Sequence, residues 1–176
     1  GSATRLKWYQ APNPCSGTEL GKCKALSMAD PAWVAQTLEA INTRRALHRA
    51  PPLEWSEECY ESAKRQAEAC EEQDTLHHGN LEGPSGQHGQ NAFMSSDPCS
   101  PADAVEAWYN EVNDPGYNFD KPGFDPGCGH FTQVVWGGTQ SVGLAASANG
   151  QYVVANFLPP GNYEGLFEEN VLPAQP

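Results

Sequence analysis

At 176 residues the chain is long enough for one domain with a buried core and too short for two of ordinary size. Ten Lys and Arg stand against 22 Asp and Glu, a net charge of −12, which disfavours nucleic acid and anionic membrane surfaces as partners. No apolar run approaches the ~18 residues needed to span a bilayer, and Gly1-Ser2 reads as a cloning remnant ahead of a mature, soluble form.

The six cysteines are an even set without a Cys-x-x-Cys pair, so disulfides in an oxidising compartment are expected ahead of zinc coordination. The pairing stays open, except that Cys59 and Cys70, if they share a helix, stand about 16 Å apart, out of bonding reach. There is no Asn-x-Ser/Thr acceptor, so glycosylation gives no sign of secretion.

Residues 1–29 lack periodicity and read as an irregular arm, with Cys15 and Cys23 close enough for a local disulfide. Asp30-Pro31 is an N-cap followed by proline at the first helical position, and Val34, Leu38 and Ile41 follow at helical spacing, which predicts a helix to about Arg45. Ser56 with Glu57 and Glu58 opens a second helix whose buried stripe is Cys59, Ala63, Ala67 and Cys70. From Gln73 to Asn91 the chain turns polar and glycine-rich, a loop carrying His77, His78 and His88. Ser100-Pro101 starts a third helix that sets Trp108 and Glu111 on neighbouring positions and ends at Asp114-Pro115-Gly116. Tyr117 to Gly127 is a broken, aromatic loop.

That loop leads into Gly129-His130-Phe131-Thr132-Gln133-Val134-Val135-Trp136, the stretch around which the chain looks organised. Its β-branched and aromatic residues predict a strand with His130, Thr132, Val134 and Trp136 on one face. An imidazole beside core side chains needs polar partners. Val142–Ala146 and Tyr152–Phe157 read as two further strands joined at Asn149-Gly150, and the tail to Pro176 as a surface wrap.

Cys-Gly-His-Phe-Thr-Gln-Val-Val-Trp (128–136) and Tyr-Val-Val-Ala-Asn-Phe-Leu-Pro-Pro-Gly-Asn (152–162) resemble the two signature motifs of the CAP superfamily, which comprises cysteine-rich secretory proteins, antigen-5 allergens and pathogenesis-related-1 proteins. Asn42 with Arg45, Leu53-Glu54-Trp55-Ser56, Gly89-Gln90-Asn91 and Trp108-Tyr109-Asn110-Glu111 fit further family motifs in order. The resemblance implies an α+β fold, a three-layer α/β/α sandwich around a small, mostly antiparallel sheet. Its domain would span 30–165, with 166–176 as a C-terminal tail.

Carried over by motif, the family's cleft tetrad is His78, Gln90, Glu111 and His130. Two imidazoles and a carboxylate can bind a divalent ion, zinc first, at His78 and His130, or fix one another's protonation by hydrogen bonds in a purely structural cluster. No cofactor is required on either reading. Gln90 stands where glutamate is usual, which weakens a metal site and any acid-base chemistry. His78 is preferred to His77 because it precedes a small residue, Gly79. Leu144 and Ala155 occupy positions where many relatives have cysteine, so part of the family's disulfide framework is absent.

His88 is expected to face solvent, Trp55, Trp108 and Trp136 to anchor the core, and Asn91 and Asn162 to satisfy loop backbone. Tyr117, Phe119 and Phe124 resemble the caveolin-binding motif of the sterol-binding fungal relatives; they would either wall a lipid site or plug the loop onto the domain. Three functions follow. The first is a secreted, extracellular, non-enzymatic protein that binds sterol or another apolar lipid. The second is an extracellular defence or interaction protein whose cleft meets a protein partner, with a structural or zinc-binding histidine cluster. The third, a hydrolase, lacks a recognisable serine or cysteine nucleophile motif.

Overall fold

The computed structural model describes residues 29–175, so the arm and its cysteines, Cys15 and Cys23, lie outside the described residues. Helix α1 (Pro31–Leu47) starts where the sequence predicts: the Asp30 carboxylate accepts from the backbone N–H of Ala32 and Trp33. Strand β1 (Glu54–Trp55) leads to α2 (Glu57–Glu72), capped by Ser56, whose hydroxyl accepts from Cys59 N at 3.2 Å. Cys59, Ala63, Ala67 and Cys70 are all fully buried along one face of α2, as their spacing predicts.

The segment read as a loop from Gln73 to Asn91 holds more structure than its composition suggests. A short hairpin, β2 (Glu82–Gly83) and β3 (Gly86–Gln87), precedes strand β4 (Gly89–Met94). Two polar residues at the head of β4 mask the alternation that would mark it as a strand. Helix α3 (Pro101–Asn110) carries a full capping box from Ser100 and Asp103 and is followed by a kinked turn, Val112–Gly116, in which Asp114 is extended.

Residues 129–135 form a helix, α4 (Gly129–Val135), and not the predicted strand. Its β-branched residues favour a strand locally, but side chains distant in sequence satisfy both helix ends, and tertiary packing overrides propensity. Strands β5 (Ser141–Ala146) and β6 (Tyr152–Leu158) form the predicted hairpin. The sheet order is β1-β5-β6-β4, parallel between β1 and β5 and antiparallel elsewhere.

Alternation along β5 and β6 assigns the two layers. Val142, Leu144, Val153, Ala155 and Phe157 join Ile41, Trp108, Phe131 and Val134 of α1, α3 and α4 in the larger core. Ala145 and Val154, with Ala92 of β4, pack on Ala63 and Ala67 of α2. Gly143 lets α2 approach that closely: a Cβ there would lie 2.0 Å from Tyr60 N. Helix α5 (Phe167–Asn170) corrects the expectation of a surface wrap, because Phe167 and Val171 are buried in the larger core.

Among the described residues Cys59, Cys70, Cys99 and Cys128 are free thiols. Cys59 and Cys70 point into the core from one helix, and burial raises the Cys59 and Cys128 thiols above their ordinary range. No helix among these residues is long and apolar enough to cross a membrane.

Candidate functional site

Glu111, the residue that ends α3, lies against the start of α4. One carboxylate oxygen accepts from the backbone N–H of His130 and of Phe131, both at 3.0 Å, and the other accepts from Nδ1 of His130 at 2.6 Å. A carboxylate therefore takes the place of the missing N-cap of α4, because Cys128 makes no side-chain cap. The same contacts hold the His130 proton on Nδ1.

Arg45 does the converse at the other end. Its fully buried guanidinium donates to the carbonyls of Val134, Trp136 and Thr139 and, through Nε, of Pro51, at 2.8 to 3.1 Å. Burial lowers its pKa to about 10. A short helix is thus bracketed by an anion at its positive end and a cation at its negative end. Asn91 and Asn162 complete the frame, donating to His130 O and Gly129 O at 3.0 and 2.9 Å, as expected of residues that satisfy backbone. Trp108 and Trp136 are buried as predicted, whereas Trp55 is half-buried beside Tyr60.

The other two tetrad residues form a second pair. His78 Nδ1 donates to Gln90 Oε1 at 2.9 Å, while His77 turns instead toward Gln66. Gln90 and Asn91 are neighbours on β4, so their side chains leave opposite faces: Gln90 shares the α2 side with Ala92, and Asn91 reaches α4. The tetrad is therefore two bonded pairs, His78 with Gln90 and His130 with Glu111, and no side-chain hydrogen bond joins one pair to the other among the described residues. Among the described residues neither His78 nor His130 engages a protein group through Nε2. No group of three or more His, Cys, Asp or Glu is placed to hold a metal ion among the described residues.

His88, expected in solvent, is buried. Its Nε2 lies 3.1 Å from Glu58 Oε1 and its Nδ1 3.3 Å from Asn156 Nδ2, and Asn156 in turn accepts from Gln90 Nε2 at 2.9 Å. Sequence reasoning gave Glu58 only a place at the start of α2, did not single out His48 and gave Asn156 no role. A signal for Asn156 was present: it is the one polar side chain in Tyr-Val-Val-Ala-Asn-Phe-Leu, a run that otherwise reads as core. His48 is buried at the end of α1, its Nδ1 donating to Leu172 O at 2.6 Å and its Nε2 accepting from the Tyr109 hydroxyl at 2.9 Å.

In the aromatic loop, Tyr117 is buried and its hydroxyl is bonded to Gly123, while Phe119 packs edge-on to Tyr117 and Phe131 and stacks on His48. Phe124 differs. It is 54% exposed, its ring 6.4 Å from that of Phe167.

The family model described as CAP, the cysteine-rich secretory protein family, matches residues 38–157. Golgi-associated plant pathogenesis-related protein 1 of Homo sapiens is 38% identical over 143 residues, covering 78% of this chain and 91% of that protein. Secreted protein RBT4 of Candida albicans is 33% identical over 162 residues, covering 88% of this chain but only 42% of its own length. Among solved structures, NaASP2 with Zn2+ matches with a TM-score of 0.61 at 26% identity, covering 88% of this chain and 91% of that one.

Proposed function

Because the chain belongs to the cysteine-rich secretory protein (CAP) family, we propose that it acts outside the cell by binding rather than by catalysis, taking a sterol or another small apolar lipid against the loop 117–124. The observation that carries this is the division of labour in the loop: Tyr117 and Phe119 are locked onto the domain, and Phe124 is left presenting its ring to solvent. Leu166, also exposed, precedes the Phe167 that supports Phe124. A rigid apolar ligand covering these side chains would gain about 25 cal/mol per Å² removed from water. A relative named as a secreted protein supports the location.

A labelled sterol titrated into the chain tests the reading. Saturable binding that Phe124→Ala weakens at least several-fold, without loss of folding, is expected. Equal binding by Phe124→Ala and the unaltered chain would remove the loop from the account.

A second reading, Zn2+ at His78 and His130 within an interaction protein, is favoured by one observation: among the described residues both imidazoles keep Nε2 free while Nδ1 is engaged. The fit is incomplete. Both Glu111 oxygens are committed to α4, Oε2 to the backbone N–H of His130 and Phe131 and Oε1 to His130 Nδ1, so the imidazoles would need water or a partner's groups as further ligands. Calorimetry with Zn2+ on the unaltered chain, His78→Ala and His130→Ala decides it, equal affinity in all three excluding the site.

A further inference from the structure

A string of hydrogen-bonded side chains runs along the α2 face of the sheet from Glu58 on α2, through His88, Asn156 and Gln90, to His78. The side chains of His88 and Asn156 are buried, and among the described residues their polar atoms are satisfied by each other and by these neighbours. Amide and imidazole groups can point either way, but the string has two ends that cannot. At one end the Glu58 carboxylate is acceptor-only, which makes His88 Nε2 the donor and leaves Nδ1 to accept from Asn156 Nδ2. At the other, the Gly79 backbone N–H donates to Gln90 Oε1 at 3.2 Å, which turns the Gln90 amide nitrogen toward Asn156 Oδ1 and obliges His78 Nδ1 to donate. Both ends demand the same polarity.

The outer end is also fastened. Ser85 donates to Glu58 from its backbone N–H at 2.9 Å and from its hydroxyl at 2.5 Å. Gly83 lies over the joint: a Cβ there would stand 2.5 Å from Glu58 Oε1 and 2.6 Å from His88 Nε2. Any larger residue would wedge the contact apart.

We propose that Glu58, His88 and Asn156 are positioning residues for His78, acting through Gln90 to keep its Nε2 an unprotonated acceptor for a ligand that brings a hydroxyl, an N–H or a cation. The string stands on geometry alone. That a cation reaches His78 rests on the second reading above, and the two are separable by experiment.

The test uses the full chain labelled with ¹⁵N, its imidazole nitrogens read by long-range ¹H–¹⁵N correlation at about pH 8, where ordinary imidazoles are neutral. In the unaltered chain His78 is expected protonated on Nδ1 only and His88 on Nε2 only; the reverse at either ring overturns the proposal. Gln90→Leu should release His78 into exchange between tautomers, and an unchanged Nδ1–H form would show that the string does not set it. Asn156→Asp places an acceptor-only group against His88 Nδ1, so His88 should take a second proton between two carboxylates while His78 keeps its form; a neutral His88 there refutes the polarity. Gly83→Ala cuts the string at its other end: His88 should lose its single tautomer and His78 part of its Nδ1–H form, and an unchanged His78 would show that Glu58 and His88 do not position it. Zn2+ affinity, measured alongside, should fall by about 10-fold or more in Gln90→Leu. Failure of the unaltered chain to bind Zn2+ sinks the cation reading, and the nitrogen pattern still decides the string.

Discussion

His78 and His130 present the same chemistry by opposite means. Each donates from Nδ1 and, among the described residues, leaves Nε2 free, but His130 is set by a carboxylate that also caps a helix, whereas His78 is set by a neutral amide on an edge strand. Around α4, position and stability are one thing: Glu111 and Arg45 close the helix ends, and the helix carries Phe131, Val134 and Val135 into the core. Around β4 they come apart, because the side chains that orient His78 do not cap any element. The His78 side can therefore change at small cost to the fold, while the His130 side is bound to it.

The largest break in that contrast is Arg45→Leu. It leaves the carbonyls of Pro51, Val134, Trp136 and Thr139 buried without their donor, a loss of about 3–5 kcal/mol. Urea or thermal unfolding should show it, with a midpoint lower by roughly 10 °C. A change near zero would mean that α4 does not depend on its C-terminal cation. Glu111→Ala comes next, at about 2–3 kcal/mol, because two backbone N–H groups and the His130 ring lose one acceptor residue.

These two residues also mark where the sequence stops being legible. The starts of α1, α2 and α3 were readable because Asp30-Pro31, Ser56 and Ser100-Pro101 act within a few residues of themselves, and the hairpin of β5 and β6 for the same reason. Helix α4 was not, since its caps lie 19 residues upstream at Glu111 for His130 and 89 at Arg45 for Val134. That the tetrad falls into two pairs, His78 with Gln90 and His130 with Glu111, is seen only in the geometry; the motif match named His78, Gln90, Glu111 and His130 as one cluster with Glu111 and His78 around His130. It gave no hint that His88 is buried, because a histidine among glycines looks like a loop residue until Glu58 and Asn156 are brought to it by α2 and β6.

On the β4 side the expected stability cost is smaller. Gln90→Leu removes an amide that is only half-buried and caps no helix, so a loss of about 1 kcal/mol is expected, against two to three times that for Glu111→Ala. Equal losses in the two variants, measured by the same urea titration, would erase the distinction between a structural and a separable histidine.

The smallest effect comes from a third imidazole that serves as a control. His48 also donates from Nδ1, to Leu172 O, but it is buried beside Phe131 and Phe119 with its Nε2 taken by the Tyr109 hydroxyl, so no ligand can reach it. Burial lowers its pKa below the ordinary value of 6.5, with the Leu172 carbonyl partly opposing and the nearby Arg49 charge reinforcing the shift. The unfolded chain then binds this proton before the folded one does as pH falls. His48 is neutral in both states above the ordinary value and contributes no pH dependence there; stability declines as pH drops from about 6.5 toward the lower folded value. His48→Gln, whose amide can still donate to Leu172 O, should flatten that part of the curve of thermal midpoint against pH. If the decline below 6.5 persists unchanged in His48→Gln, the acid sensitivity belongs to other groups, and burial of this imidazole does not set it.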